Sequence, residues 1–396
     1  MQAPMSEMSS GPRLRIAWME EWMSTLAREV LPDLSLKHDI TYVTAGEELP
    51  DAEFVRVVRG RLWPTMNLAG FELSRRVNRL YRDGQIDLAM VWASIGFALR
   101  GVPFINLEGT SVYAEIGLFA SRVPFYKRAK FLTGLAHYAL PEMSCNRRAA
   151  RVIVPSQALK RDIMRLHGLP DERVAVVPHG VEPDHLTCWA QKGSCPRPGI
   201  LYVGRLHFRK GILPVLREFV RRGDIEADFY IAGDGPDRER MEETAAGDGR
   251  VKLLGSVDRE ALRSLLTRTQ IFVLPTYYEG FGLALLEAMA SGHACVSYDI
   301  PVVREVLGDC GVLVPLGEAA ALVERVARLV RDGRAVAACA ARAHERASRF
   351  SWDDARTAID RIARETYLTL EAKSPPRRPA ALEPRIERSG AGSQRI

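Results

Sequence analysis

Two glutamates and two glycines stand close together in the stretch YEGFGLALLEAMA, residues Tyr278–Ala290. The preceding apolar run Ile271–Leu274 predicts a strand, and the residues from about Gly282 onward predict a helix. Gly280 and Gly282 would let a ligand approach the backbone closely. Unsatisfied N–H groups and the helix dipole converge at a helix N-terminus. We therefore expect a phosphate group to bind at Gly282–Leu283.

Two carboxylates flank this expected phosphate position. Glu287 lies about a turn and a half inside the predicted helix, where an acidic side chain can accept hydrogen bonds from ribose hydroxyls, as it does in other nucleotide-binding α/β folds. Glu279 lies nearer the turn and would face a sugar attached to the diphosphate. Either carboxylate alone is better explained as a solvated acid at a helix start, but the pair in these surroundings favours a nucleotide site.

A second candidate element is GRLHFRKG, residues Gly204–Gly211, which directly follows the predicted strand Ile200–Val203. Arg205 can fork onto two phosphate oxygens and Lys210 adds a mobile point charge. Together they could neutralise a leaving diphosphate without a metal, and the chain has no Asp-x-Asp triplet that would hold a divalent cation there. The alternative is that both cations are surface charge at a strand end.

Short apolar runs alternate with amphipathic helical patterns from Leu14 almost to the end, which is typical of α/β proteins with parallel sheets covered by helices. The predicted strands fall into two series, Arg15–Met19 to Val174–Val177 and Ile200–Val203 to Val312–Val314. Pro, Gly and polar residues separate the two series. The expected organisation is a flexible N-terminus (1–12), a first Rossmann-like domain (13–183), a linker (184–198), a second Rossmann-like domain (199–350), a last helix crossing back to the first domain (351–372) and a disordered tail (373–396).

Composition excludes some classes of protein. A hydrophobic content of 47% with 26% charged residues is typical of a globular chain. Six cysteines without a CxxC pair fit reduced thiols better than a disulfide framework or a zinc site. The first residues do not resemble a secretory signal and no window could span a bilayer, so we expect a cytoplasmic location. The net charge of +6 favours anionic partners without deciding among them.

Six motifs occur in a fixed order between about Ala149 and Phe350: VIVPSQALKRDI, VAVVPHGVEP, LYVGRLHFRKG, YIAGDGPDRERM, VKLLGSV and YEGFGLALLEAMASGHACVSYDIPVVREVLGDCGVLV. In this order they resemble the retaining glycosyltransferases of family 4, which have the GT-B architecture of two domains facing a cleft. The element of two glutamates separated by seven residues is fairly specific when it is embedded in this series.

The resemblance implies that the second domain binds a nucleotide-sugar donor, with either UDP or GDP as the nucleotide, and that the first domain binds the acceptor. It implies transfer of a hexose-type sugar with retention of configuration, without a divalent metal and without a protein nucleophile, so that the enzyme positions the substrates and stabilises the departing diphosphate. The site residues implied are Arg205 and Lys210, with Gly204, on the diphosphate, Glu287 on the ribose, and Glu279 with the backbone of Gly280, Phe281, Gly282 and Leu283 on the sugar and phosphate.

Two stretches depart from the family pattern. A glycine-rich turn usually follows the first strand, but this chain has Met19–Trp22 (MEEW) there. A histidine near the donor sugar is common in the family, and the stretch GVPFINLEGT places Glu108 at about that position. Glu108 would contact a sugar hydroxyl or steady positive charge at the reacting carbon, or it would simply be satisfied by neighbouring N–H groups. His179, in the turn before the linker, is more simply a structural hydrogen bonder than an acid or base.

The sequence gives the weakest indication of the acceptor and of where it binds. The stretch Arg122–Tyr138 mixes cations with aromatic residues, as a helix lying on anionic lipid would, although helices that cover a sheet show the same two faces. We consider a sugar, a lipid-linked sugar or a small molecule as acceptor. Two other functions stay open: a GT-B enzyme that converts the nucleotide sugar itself, such as an epimerase, and a non-catalytic binding protein. The chain shows no aromatic-basic RNA motif or zinc finger.

Overall fold

Two parallel sheets organise the chain. The computed structural model describes residues 12–47, 55–61, 66–120, 135–190 and 198–373. The first sheet has seven strands in the order β3-β2-β1-β4-β5-β6-β7, and the second has six in the order β10-β9-β8-β11-β12-β13. All pairings within both sheets are parallel. The predicted class of two doubly wound α/β units is therefore confirmed.

The described residues form thirteen strands, and the strands that begin and end each predicted series agree with the prediction to within one residue. Most of the central residues of the thirteen strands are apolar and buried, as expected for strands that helices cover on both faces, whereas the edge strands β3 and β10 alternate with exposed Arg56 and Lys252. The first sheet contains β1 Arg15–Glu20, β2 Asp39–Thr44, β3 Val55–Arg59, β4 Leu88–Trp92, β5 Phe104–Leu107, β6 Arg151–Val154 and β7 Val174–Val176. The second contains β8 Gly199–Val203, β9 Asp228–Ala232, β10 Val251–Gly255, β11 Ile271–Leu274, β12 Ala294–Tyr298 and β13 Val312–Val314.

Amphipathic helices cover both sheets, and short polar side chains begin several of them. Ser24 and Ser156, for example, each accept a backbone N–H at the start of the helix that follows. The helices are α1 Thr25–Lys37, α2 Met66–Arg82, α3 Val112–Ala120, α4 Leu140–Arg148, α5 Gln157–His167, α6 Pro183–Ala190, α7 Ile212–Arg221, α8 Arg238–Ala245, α9 Arg259–Arg268, α10 Leu283–Ala290, α11 Pro301–Leu307, α12 Ala319–Arg331, α13 Gly333–Ala347 and α14 Trp352–Glu371.

The segment interpreted as a linker begins with a helix, α6. Trp189 at its end covers Gly292 so closely that a Cβ there would meet the indole ring at 1.8 Å. The same indole stacks on His344, with ring centroids 5.4 Å apart. The first half of the connection is therefore packed onto the second domain, and residues 191–197 lie outside the described part of the chain.

The chain crosses between the domains twice, at adjacent positions. The Val181 N–H donates to the Phe350 carbonyl at 3.1 Å. A Cβ on Gly180 would lie only 2.1 Å from the Trp352 nitrogen, so only glycine allows this approach. The segment that leaves the first domain and the segment that returns to it are thus held side by side.

The last helix, α14, returns to the first domain and lies against α1. Ile359 and Ala363 on α14 are buried with the core residues of the first sheet. The buried His38 side chain contacts Asp360 at 2.7 Å through Nε2, and Arg364 also donates to Asp360. Burial raises the pKa of Asp360, but the hydrogen bonds from His38 and Arg364 outweigh it, and the pKa lies below its usual value.

Candidate active site

The turn between β11 and α10 has the geometry expected of an anion site. Gly282 adopts the left-handed conformation, with φ of 92°, and begins α10 without a side-chain cap. The first hydrogen bonds of the helix run from Leu285 and Leu286 to the Gly282 carbonyl. Among the described residues, nothing accepts the N–H groups of Leu283 and Ala284, which leaves both donors available to a ligand.

Gly280 has a further reason for being glycine, besides the access for a ligand that the sequence predicts. A Cβ on it would lie 1.8 Å from the Gly109 carbonyl oxygen in the first domain. The Ser156 hydroxyl, also in the first domain, donates to the Gly280 carbonyl at 2.7 Å. The missing side chain therefore allows the turn to contact the opposite domain, besides any access it gives to a ligand.

The Phe281 side chain points into the region where the chain crosses between the domains. Its ring is buried and lies edge-on to His179, with centroids 5.1 Å apart. Burial lowers the pKa of His179 to about 4, so this imidazole is neutral at pH 7. Its Nδ1 has no hydrogen-bond partner in the described part of the chain. His179 thus packs against aromatic rings, and its Nδ1 does not make the structural hydrogen bond that the sequence favoured.

Lys210 and Glu279 are in direct contact. Lys210 is the last residue of the 3-10 turn Phe208–Lys210. Its ammonium group pairs with the Glu279 carboxylate, and the Lys210 and Glu279 side chains are only 17% and 13% exposed. The Tyr202 hydroxyl lies nearby, and its pKa is raised by burial and by the negative charge of Glu279. Without a ligand, the cation expected to bind the diphosphate is therefore neutralised by the acid expected to bind the sugar.

Arg205 lies beside this pair along the chain but does not contact it through its side chain. Its carbonyl accepts the Tyr202 hydroxyl at 3.0 Å, while the guanidinium is exposed and has no hydrogen bond in the described structure. Gly204 has a φ of 154°, which residues with a side chain rarely adopt, and a Cβ on Gly233 would lie 2.0 Å from the Gly204 carbonyl oxygen. The guanidinium is thus free to reach toward a phosphate.

Glu287 lies on α10 and is half-buried. Burial, reinforced by the nearby Glu182 carboxylate, raises its pKa to about 7, whereas Arg259 lowers it. It forms neither a hydrogen bond nor an ion pair with Lys210 or Glu279. The structure therefore brings Lys210 and Glu279 together and leaves Arg205 and Glu287 as separate groups on the same domain.

Glu108, on the turn after β5, is buried and held by side-chain amides. Asn106 and Asn146 donate to one of its carboxylate oxygens at 3.0 and 3.1 Å. Burial and the neighbouring Glu142 raise its pKa well above the usual range, although the two amides act in the opposite direction. This geometry favours an acid satisfied by neighbouring N–H groups over one that contacts the sugar.

Among the residues that replace the glycine-rich turn, Glu20 points inward and Trp22 is exposed. Glu20 at the end of β1 is buried and accepts the Tyr42 hydroxyl at 2.8 Å and the Ser24 N–H at 3.3 Å. Burial raises its pKa to about 7. Glu20 therefore fastens the start of α1 rather than presenting its carboxylate to a ligand.

The sequence reading missed two polar contacts between the domains. The Glu305 carboxylate on α11 accepts the N–H groups of Gln157 and Ala158 at 2.7 and 2.9 Å, at the first turn of α5. Arg209 pairs with Glu115 on α3 at 2.6 Å. Arg209 was visible within the basic motif, but its partner is 94 residues away, and Glu305 carried no sequence signal.

Several expectations fall outside the described residues. Most of Arg122–Tyr138 lies there, as do residues 1–11 and the tail from 374. In the described ranges, no helix is both long and apolar enough to cross a membrane. Those ranges also hold no group of three or more His, Cys, Asp or Glu side chains arranged to bind a metal ion.

Two family models match the chain. Residues 23–185 match the model described as Glycosyltransferase Family 4, and residues 197–332 match the model described as Glycosyl transferases group 1. The first match covers most of the seven-stranded domain, and the second covers most of the six-stranded domain.

Individual proteins agree with these matches. The chain is 30% identical over 203 residues to the alpha-D-kanosaminyltransferase of Streptomyces kanamyceticus, which covers 47% of this chain and 52% of that protein. The chain thus spans about half the length of the curated relatives it matches.

Solved structures share the fold over nearly the whole chain. Sucrose-phosphate synthase from Thermosynechococcus elongatus superposes with a TM-score of 0.70 at 20% identity, covering 90% of this chain and all of the other. HepE of Anabaena, in complex with UDP and glucose, superposes with a TM-score of 0.68 at 17% identity, covering 89% and 99%. The fold is therefore that of GT-B glycosyltransferases, and together with the two family matches it supports a glycosyltransferase of family 4 type.

Proposed function

We propose that the chain moves a hexose-type sugar from a UDP- or GDP-linked donor to an acceptor hydroxyl, with retention of configuration and without a metal. The observation that carries this proposal is the contact of Lys210 with Glu279 on the domain where α10 offers two unsatisfied N–H groups. The product would be a polysaccharide, a glycolipid or a glycosylated small molecule. UDP is the first nucleotide to test because HepE was solved with UDP and glucose.

In this proposal, binding of the donor changes the ion-pair partner of Lys210. The diphosphate displaces Glu279 from Lys210, and the released carboxylate accepts hydrogen bonds from the sugar hydroxyls. The exposed Arg205 guanidinium forks onto the phosphate oxygens, and Glu287 accepts the ribose hydroxyls. As the bond to the sugar breaks, negative charge grows on the departing phosphate, so its attraction to both cations is stronger in the transition state than in the ground state.

Retention follows if the leaving phosphate assists attack of the acceptor from the same face, with no protein nucleophile. Glu108 then acts by position. Its hydrogen bonds to Asn106 and Asn146 fix the turn that carries Gly109, and this turn packs against Gly280. A buried acid in that place shapes the closed cleft without exchanging a proton with the substrate.

The acceptor would bind the first domain, and it is a sugar, a lipid-linked sugar or a small molecule. A cytoplasmic enzyme with peripheral contact to anionic membrane would suit a lipid-linked acceptor, and no nucleic-acid partner is proposed. The epimerase-like alternative is not favoured, because the family models and relatives that match are glycosyltransferases.

A panel of UDP- and GDP-sugars tests the donor. A sugar nucleotide at 100 times its dissociation constant stabilises the protein by about 2.7 kcal/mol, which is visible as a shift in thermal unfolding. Once a donor is found, hydrolysis and transfer are measured with a metal chelator present, and NMR of the product gives the anomeric configuration. Stabilisation by no nucleotide sugar would contradict the proposal.

Variants test the roles of the cations. Lys210→Ala is expected to lower kcat about 100- to 1000-fold, the effect of removing one preorganised donor to a developing negative charge. Arg205→Ala is expected to act in the same direction. Lys252→Ala is the matched control, since Lys252 is an exposed lysine on the same domain whose ammonium group bonds only a local carbonyl. Unchanged turnover of both Lys210→Ala and Arg205→Ala would refute the metal-free account.

A further inference from the structure

Helix α2 exposes a continuous stripe of two apolar residues followed by three arginines. The spacing of these positions is three, four, four and three residues, which at 100° per residue confines them to an arc of about 80°. Leu68 and Phe71 are 46% and 52% exposed, and the arginines are exposed as well. The stripe consists of Leu68, Phe71, Arg75, Arg79 and Arg82.

The opposite side of α2 fixes the direction in which this stripe faces. Leu73 and Val77 are fully buried in the core of the first domain. The Ser74 hydroxyl donates to the Ile95 carbonyl at 3.2 Å, and a Cβ on Gly70 would lie 2.9 Å from the same oxygen. The helix therefore cannot rotate its stripe inward without breaking the core.

Further cations lie next to the stripe. The Asn78 side chain on α2 accepts the backbone N–H of Arg100 at 2.9 Å, which places this exposed arginine beside the helix. Arg148, also exposed, donates to the Phe97 carbonyl at 2.6 Å just before Arg100 in the chain. The basic surface thus continues from α2 across the neighbouring turn.

The charge of this surface is largely uncompensated. In the described part of the chain, Arg75 and Arg79 form no ion pair, and Arg82 donates only to the Asn78 carbonyl. The acids on or next to the helix are Glu72, which pairs with Arg76 on the flank, and Asp83, just past the helix end. Elsewhere on the protein, exposed arginines commonly pair with a carboxylate one helical turn away.

We propose that the α2 surface, defined as Leu68, Phe71, Arg75, Arg79, Arg82 and Arg100, docks the first domain on an anionic lipid bilayer. The arginines attract acidic headgroups, and the two apolar side chains enter the boundary between headgroups and acyl chains. A nucleic acid would use the arginines but would leave exposed Leu68 and Phe71 without a role, so lipid is the better fit. This inference deepens the proposed membrane contact and does not depend on sugar transfer.

Vesicle sedimentation of the full chain tests the proposal. Binding is expected to vesicles of phosphatidylcholine with phosphatidylglycerol and not to phosphatidylcholine alone, and salt is expected to weaken it. At about 1 kcal/mol per cation near the surface, the triple variant Arg75→Gln, Arg79→Gln, Arg82→Gln is expected to bind on the order of 100-fold more weakly. The variant Leu68→Ser, Phe71→Ser is expected to bind less at high salt, where the apolar part of the interaction remains.

A matched control separates this surface from net charge. Arg217, Arg325 and Arg334 are exposed arginines on helices of the second domain, and their triple glutamine variant loses the same charge. The proposal is overturned if this control loses as much binding as the α2 variant, if the unchanged protein ignores anionic vesicles, or if it binds single-stranded nucleic acid in preference to them. Stabilisation of the α2 variant by the donor nucleotide checks that it is folded, and failure of that stabilisation in the unchanged protein would count against the proposed function alone.

Discussion

Removal of the Glu305 carboxylate should open the cleft. Its two oxygens accept the N–H groups of Gln157 and Ala158 at 2.7 and 2.9 Å, so one side chain of the second domain caps a helix of the first. Hydrogen bonds to a charged group each contribute about 1.5–3 kcal/mol when well shielded. Glu305 is only half-buried and water replaces part of this interaction, so we expect Glu305→Ala to cost about 2 kcal/mol.

That free energy changes the ratio of closed to open molecules about 30-fold, since 1.36 kcal/mol corresponds to a factor of ten. Small-angle scattering of the ligand-free variant should show a larger radius of gyration, and saturating donor should reverse part of the change. Glu345→Gln is the control, because Glu345 near the end of α13 forms an exposed pair with Arg349, four residues later and within the same domain. An identical scattering curve for Glu305→Ala and the unchanged protein would show that this carboxylate does not hold the domains together.

Three further predictions concern pH, a close approach and the last helix. The folded pKa of Glu287 is about 7 against a usual 4.5, so the folded state binds more protons than the unfolded state between these pH values. The free energy of unfolding therefore falls as pH rises through this range, by up to about 3 kcal/mol. In urea titrations across the range, Glu287→Gln should flatten this decline, and an unchanged slope would contradict the raised pKa. Gly280→Ala should abolish transfer, because its Cβ would lie 1.8 Å from a backbone oxygen of the first domain, whereas Gly333→Ala, where nothing lies within 4 Å, should be silent in the same assay. Asp360→Ala should lower the free energy of unfolding in urea by about 1–3 kcal/mol, since it leaves a buried His38 nitrogen unpaired. Because the folded pKa of Asp360 is depressed, the contribution of this pair is present above the unfolded pKa of Asp360 and is lost as pH falls through its folded pKa. Equal stability of the variant and the unchanged protein at neutral pH would rule the pair out.

The fold was accessible from the sequence because its signals are local. Each strand is a short buried run of β-branched and apolar residues, and each helix repeats its apolar positions every three or four residues. The turn into α10 was placed correctly for the same reason: a buried strand, a glycine at Gly282 and a helical pattern follow one another within twenty residues.

The environment of individual site residues was less accessible, because it depends on contacts distant in the chain. The pairing of Lys210 with Glu279 joins positions 69 residues apart, and the bond from Ser156 to Gly280 spans 124. Residue type alone could not reveal that Gly280 is small because the other domain touches it. The helix at the start of the linker was missed because the Pro, Gly and polar residues of 184–198 were taken to indicate a linker throughout, whereas its glycine and prolines all follow Ala190, and Pro183 fits the first turn of a helix.

Because Gly180 packs directly against the backbone of Trp352, the two segments that connect the domains act as one hinge, and neither can move without the other. Helix α14 therefore moves with the first domain, although the chain enters it from the second. A fluorophore attached near Glu371 would report the orientation of the first domain, and a partner label on α12 would allow the opening of the cleft to be followed as a distance over time.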